Sequence, residues 1–360
     1  MLDFSNQPLN NPTSPQDRDA AMANLGFGTL FTDHMVTIRY TEGQGWHDAV
    51  LGPRQPIPLD PAAAVLHYAQ EIFEGLKAYR LPDGSVSSFR PEANAARFNQ
   101  SATRLAMPHL PEELFVESIR QLVAADADWV PSADKGSLYL RPFMFASEAF
   151  LGVRPAREYI YCVIASPVGG YFKSGKSAVT LWVSHDHVRA VPGGTGAAKC
   201  GGNYAASLEP QSVGIEHGCD QVLFLDAVER KWVEELGGMN IMFVFNDGSI
   251  VTPPLNGSIL PGITRDSLRA VATEAGYTVR EEPYSFDQWQ EDAKSGRLKE
   301  AFACGTAAVI TPIGEVRSTR GNFVIGNGDG GQVAATLREA LVGVQLGTRP
   351  DTHGWMHKLA

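Results

Sequence analysis

The sequence predicts a two-domain protein of α+β and α/β type. The chain has 360 residues, the length of two ordinary domains. Hydrophobic residues make up 44% of it, enough to fill a core in each. Strand-like and helix-like patterns alternate without an internal repeat or low-complexity block. Such mixed order builds mixed layers of sheet and helix rather than a pure parallel sheet.

The elements follow in order. Residues 3–20 are rich in Asn, Pro, Ser, Asp and Gln, so 1–20 is expected to be a loose, flexible arm. Residues 31–40 (FTDHMVTIRY) carry the β-branched and aromatic content of a strand. Asp60-Pro61 opens a predicted helix over 61–76, because proline is preorganised for the first helical position. Asp83-Gly84 between two extended runs signals a hairpin. Ala95, Phe98, Ala102 and Leu105 recur at roughly helical spacing within 92–106. Pro111-Glu112-Glu113 opens another helix, with carboxylates where the dipole favours them. Residues 137–145 and 158–165 read as strands, and the Gly-, Ser- and Lys-rich stretch 166–178 reads as a linker. The expected division is a small α+β domain over 21–168, an interdomain loop over 169–181 and a large α/β domain over 182–360. In the second part, 179–185, 221–225 and 241–245 read as strands and Asn246-Asp247-Gly248 as a hairpin turn. Leu260-Pro261-Gly262 opens a helix to about 275, and 300–310 leads through a strand into Cys304-Gly305-Thr306-Ala307. Pro210 predicts a break or kink in the helical stretch after Asn203.

The formal net charge is -10, which argues against nucleic acid or an anionic membrane as the main partner. The four cysteines, Cys162, Cys200, Cys219 and Cys304, show neither C-x-x-C nor zinc spacing. They read as reduced thiols of a cytoplasmic protein with no bound metal. Neither a signal-peptide pattern nor an apolar run of membrane-spanning length is visible.

The chemistry centres on residues 193–204, GGTGAAKCGGNY, where Lys199 stands between two glycine-rich turns. Glycines let the backbone turn tightly and let a bulky group approach. A lysine held in such a pocket can lose its proton and attack a carbonyl to form a Schiff base. The carbonyl expected here is the aldehyde of pyridoxal 5′-phosphate. A phosphate-cradling P-loop would need Gly-Lys-Ser/Thr, but Ala198 precedes the lysine and Cys200 follows it. A plain surface loop is the other reading of the stretch. The cofactor also needs a partner for its pyridine nitrogen and a cradle for its phosphate. Glu235, beside two glycines in VEELGGMN, is the candidate partner. Ile263-Thr264 at a predicted helix start, Thr306 and Arg97 are candidates for the phosphate.

The chain resembles the branched-chain amino acid aminotransferases, pyridoxal phosphate enzymes of fold type IV. The resemblance runs from about residue 26 to 355, through FGTLFTDHM, LHYAQEIFEGLKAY, LYLRPF, FLGV, VRAVPGGTGAAKCGGNYAASL, EELGGMN, LPGITRDSL and CGTAAVITP, in that order. It implies the two-domain type IV architecture with the cofactor between the domains. It makes Lys199 the Schiff-base lysine, Tyr204 the partner of the ring's phenolic oxygen and Glu235 that of the ring nitrogen. Arg97, Ile263, Thr264 and Thr306 become the phosphate cup. Tyr139 and the turn amides of Thr306 and Ala307 take the α-carboxylate, and Arg141 the side-chain carboxylate of glutamate. Phe27, Tyr68 and Phe73 become pocket walls. Leu151 and Val153, and on one reading Tyr68, are lent across a homodimer interface. The implied reaction moves the amino group of leucine, isoleucine or valine to 2-oxoglutarate. Two departures stand out. The redox pair of mammalian relatives is replaced by Ala308 and Thr311, and Gly238 stands where some relatives carry threonine.

Overall fold

The computed structural model describes residues 2–169 and 177–360. The chain divides into two compact units. Unit 1 comprises Met1–Tyr171, Ala198–Gly201 and Gly343–Ala360, and unit 2 comprises Phe172–Ala197 and Gly202–Val342. The expected division had put 198–201 and 343–360 in the second domain, and both group with the first. Burial and pairing explain the difference. Ala198 and Cys200 sit in the apolar core of unit 1. The strand Met356–Lys358 pairs with residues 87–89.

Among the described residues, unit 1 carries one large sheet. Its strands are β1 (Ser5–Asn6), β2 (His34–Thr41), β3 (Gly45–Pro53), β4 (Glu71–Phe73), β5 (Leu76–Arg80), β6 (Val86–Phe89), β7 (Ser137–Ala146) and β8 (Glu158–Val168). They run in the order β1-β3-β2-β8-β7-β5-β6, with Met356–Lys358 on the β6 edge and β4 also on β7. Pairing is antiparallel apart from β1 with β3. The helices are α1 (Pro15–Met22), α2 (Ala64–Tyr68), α3 (Pro91–Arg104) and α4 (Glu112–Ala125). The stripe read from sequence is the buried face of α3, where Ala95, Phe98 and Ala102 enter the core. Helix α4 adds Leu114, Phe115, Ile119 and Leu122. The period of two in β7 then sorts its side chains. Leu138, Leu140 and Met144 join that core, while Tyr139, Arg141 and Phe143 are half-buried on the other face.

Two expectations for this unit are corrected. The arm expected over 1–20 contains ordered structure. Gln7 N–H donates to Leu51 O at 2.8 Å. Ser14 caps α1 by accepting from Asp17 N–H at 3.1 Å, with Pro15 in the first helical position. The helix expected over 61–76 is only Ala64–Tyr68. Ala69 takes a left-handed conformation (φ 50°), which ends α2, and the chain turns into β4 and β5. The hairpin signal at Asp83-Gly84 is the β5–β6 turn, with Gly84 at φ 84°.

Unit 2 is built around β9 (Val179–Ser184), β10 (Gln221–Leu225), β11 (Val233–Leu236), β12 (Asn240–Phe245), β13 (Ser249–Thr252), β14 (Thr278–Glu281), β15 (Leu298–Gly305), β16 (Val309–Arg317) and β17 (Phe323–Val324). The order is β11-β10-β9-β16-β15-β12-β13-β14, with β17 on β16. Strand β9 is parallel to β10 and β16, and β13 to β14, while the other pairs are antiparallel. The helices along this stretch are α5 (Gly201–Ala205), α6 (Leu208–Glu216), α7 (Ile263–Glu274), α8 (Phe286–Ser295) and α9 (Gln332–Gln345). Their core includes Phe243, Phe286, Trp289 and Phe323. The helical break predicted near Pro210 falls at residues 206–207, and Pro210 sits in the first turn of α6, where its missing N–H is not needed. Of the interdomain loop expected over 169–181, residues 170–176 lie outside the described residues. Its C-terminal end already belongs to β9, whose valine and leucine pair with β10 and β16.

Candidate active site

In unit 1 the half-buried face of β4 and β7 gathers five of the expected residues. Arg141 Cζ stands 4.7 Å from the Phe73 ring centroid, and Lys199 Nζ stands 4.9 Å from the same centroid. Arg141 Nη2 donates to Tyr139 Oη at 3.0 Å, and the Phe27 ring meets Tyr139 edge-on at 5.1 Å. The sequence folds this way because Tyr139 and Arg141 are two apart on β7, and Phe73 faces Phe143 across the β4–β7 pair. Arg141 Nε is buried without a hydrogen-bond partner among the described residues.

Arg97 lies beneath this face, on α3. Its Nε and Nη2 donate to Glu74 Oε1 and Oε2, both at 2.8 Å, in a bidentate pair. Asn94 adds a bond to Oε2 at 2.7 Å, and Glu74 is fully buried. Burial alone would push the Glu74 carboxyl up. Arg97, Lys199 and Asn94 outweigh it and hold the group below the usual carboxylate range. Glu71 behaves oppositely. Burial pushes its carboxyl up, opposed in part by the Gly201 N–H and by Arg141.

Tyr68, Leu151 and Val153 are exposed in this chain. Tyr68 Oη donates to Leu151 O at 2.5 Å. Exposed apolar side chains of this kind suit an interface more than a pocket interior.

In unit 2 the β11 residue Glu235 is 2% exposed. Arg189 Nη1 stands 2.9 Å from its Oε1, and Leu260 N–H donates to the same oxygen at 2.8 Å. Asn240 Nδ2 donates to Oε2 at 3.3 Å and to Leu260 O at 3.0 Å. A Cβ added at Gly262 would collide with Asn240 Oδ1, so glycine lets the start of α7 approach that amide. Helix α7 has no side-chain cap, which leaves the first-turn N–H groups at Ile263 and Thr264 suited to an anion. Tyr204 on α5 borders Gly238, where an added Cβ would stand 3.7 Å from Tyr204 Cε1. Thr306 and Ala307 form the turn between β15 and β16, closed by the Gly305–Val309 pair. A buried carboxylate paired with Arg189 and an uncapped helix start fit the ring nitrogen and the phosphate of pyridoxal phosphate.

Sequence reasoning did not single out Glu71, Glu74, Ser101, Arg189 or Asn240. Glu71, Glu74 and Arg189 carried a signal as charged residues beside apolar ones in the quoted motifs. Ser101 gave none. All four cysteines are buried and outside any disulfide, and burial pushes the Cys162 and Cys304 thiols up to about 12. Among the described residues no group of His, Cys, Asp and Glu could hold a metal ion, and no helix is long and apolar enough to cross a membrane.

Comparison with known proteins agrees with this chemistry. The Amino-transferase class IV family matches residues 71–316. The chain is 58% identical over 362 aligned residues to the branched-chain-amino-acid aminotransferase of Mycolicibacterium smegmatis, covering 99% of this chain and 98% of the relative. It is 57% identical to the protein of that name from Mycobacterium tuberculosis, covering 97% and 96%. Among solved structures, the Escherichia coli branched-chain amino acid aminotransferase is similar with a TM-score of 0.75 and 28% identity, over 90% of this chain and 99% of that one. The branched-chain amino acid aminotransferase of T.th., solved with pyridoxamine 5′-phosphate, is similar with a TM-score of 0.73 and 29% identity, over 90% and 98%. The chain therefore belongs to the class IV aminotransferases and, within them, to the branched-chain-amino-acid aminotransferases.

Proposed function

We propose that this chain uses pyridoxal 5′-phosphate to move the amino group of L-leucine, L-isoleucine or L-valine to 2-oxoglutarate. The products are the branched 2-oxo acid and L-glutamate, and the exchange runs both ways. The observation that carries the reading is the Phe73 ring, which has the Lys199 amine and the Arg141 guanidinium at 4.9 and 4.7 Å from its centroid. A branched side chain would pack against that ring. The second carboxylate of glutamate would meet Arg141, whose Nε is buried without a partner among the described residues.

Bound pyridoxal phosphate supplies a carbonyl carbon that takes up the amino group and a ring that spreads the charge left when the α C–H bond breaks. Lys199 Nζ holds the cofactor at rest. With the substrate nitrogen in its place, the freed Lys199 amine would take the α proton and hand a proton back. Glu235 Oε atoms would keep a proton on the ring nitrogen, with Arg189 Nη1 beside them at 2.9 Å. Tyr204 Oη meets the phenolic oxygen. Ile263, Thr264, Thr306 and Arg97 hold the phosphate. Tyr139 and the amides of Thr306 and Ala307 orient the α-carboxylate, and Phe27 and Phe73 exclude water from the side-chain pocket. The exposed Tyr68, Leu151 and Val153 suit a homodimer in which each copy lends them to its partner. Four buried cysteines outside any disulfide suit the reducing cytoplasm.

A visible absorption spectrum before and after L-leucine tests this reading. The expected protein is yellow with bound pyridoxal phosphate and bleaches with L-leucine but not with D-alanine. Bleaching with D-alanine alone would make it a D-amino acid transaminase. A protein still colourless after pyridoxal phosphate is supplied would overturn the role of Lys199.

A further inference from the structure

We propose that Ser101 and Glu71 are positioning residues that fix the backbone of the Lys199 segment on unit 1, and so set where the Lys199 amine stands. The inference deepens the reading given under Proposed function and rests on it. The stretch 198–201 belongs to unit 1, although the residues on both sides of it belong to unit 2. Hydrogen bonds hold it there. Lys199 N–H donates to Ser101 Oγ at 2.9 Å, and Phe73 N–H donates to Lys199 O at 3.0 Å. Gly201 N–H donates to Glu71 Oε1.

Side-chain burial completes the clamp. Ala198 and Cys200 enter the core, and Lys199 between them projects to the Phe73 ring. A Cβ added at Gly201 would land on Glu71 Oε1, so glycine lets that carboxylate approach the backbone closely. Ser101 is fully buried on α3 and itself donates to Arg97 O at 3.1 Å, so its hydroxyl is oriented to accept from Lys199. Neither side chain need touch a substrate. Their effect passes through the lysine backbone, and a displacement of about 1 Å at a reacting group costs on the order of a hundredfold in rate.

The test uses the full chain loaded with pyridoxal phosphate, in the variants Ser101→Ala, Glu71→Ala and Glu71→Gln. Ser101→Ala and Glu71→Ala are expected to lower kcat roughly ten- to a hundredfold, with KM for L-leucine and Tm nearly unchanged. Glu71→Gln keeps an oxygen acceptor for Gly201 N–H and is expected to recover most of the loss. Unchanged kcat in both alanine variants would overturn the proposal. So would a loss that Glu71→Gln does not recover, or one that only follows a fall in Tm. A second measurement needs no turnover. In the cofactor-free protein, acetic anhydride labelling of Lys199, read by peptide mass spectrometry against Lys231, should change rate in both alanine variants. If the wild type fails to transaminate L-leucine, the functional reading fails. The clamp is then judged by labelling alone, and an unchanged rate sinks it.

Discussion

Each unit buries a glutamate–arginine pair, and the two pairs differ in how the carboxylate is held. In unit 1, Glu74 is closed. Arg97 grips both oxygens at 2.8 Å and Asn94 adds 2.7 Å. In unit 2, Glu235 takes a backbone amide beside its arginine. Arg189 Nη1 and the Leu260 amide share Oε1 at 2.9 and 2.8 Å, while Oε2 accepts from Asn240 at 3.3 Å. Arg189 Nε is left unpartnered among the described residues. A bidentate pair spends its geometry on rigidity. A pair that shares an oxygen with a backbone amide also ties the carboxylate to the chain. The same two residue types are thus held by side chains in unit 1 and by side chains and a backbone amide in unit 2.

Glutamine substitutions break the comparison most sharply. Glu235→Gln should lower kcat on the order of a hundred- to a thousandfold, as loss of a preorganised charge does. Stopped-flow absorbance of the L-leucine half-reaction reads it. Glu74→Gln should act first on stability, by about 3–5 kcal/mol, because a buried Arg97 loses its countercharge. Urea unfolding reads that loss. If Glu235→Gln unfolds the protein while Glu74→Gln only slows it, the contrast is wrong.

Arg141 sharpens the division of labour within unit 1. Arg141→Met should raise KM for 2-oxoglutarate and glutamate about ten- to a hundredfold, and that for leucine far less, since a charge-assisted hydrogen bond contributes about 1.5–3 kcal/mol. Equal loss for both substrates would sink the dual-use pocket.

The smallest effect is a pH dependence. The folded-state pKa of Glu74 lies below its ordinary value of 4.5. Its contribution to stability is therefore complete above 4.5 and fades as pH falls through the folded-state value. The gap in stability between the wild type and Glu74→Gln should narrow across that acid window. A gap constant down to acid pH would show that Glu74 is not the titrating partner.

Local signals read well from the sequence. The apolar stripe of α3, the hairpin at Asp83-Gly84 and the strand at 221–225 stand where their spacing put them. Lys199 and Glu235 carried unusual neighbours, so their candidacy was legible too. What the sequence hid was partnership at a distance. Arg97 binds a glutamate 23 residues away, and Lys199 N–H finds a serine 98 residues away. No local pattern encodes either. The helix misread over 61–76 has the same cause. Strand β4 is three residues long and exists because β7 pairs with it. Pairing of that kind overrides local propensity.

The strand Met356–Lys358 has a consequence for how the molecule is made. It hydrogen-bonds to β6, and Leu359, buried in the core of unit 1, donates its N–H to Val86 O at 2.8 Å. A growing chain therefore cannot finish its first sheet when residues 1–171 have emerged from the ribosome. It must wait for residues translated after the whole of unit 2. Until then β6 is a bare edge, open to pairing with other nascent chains.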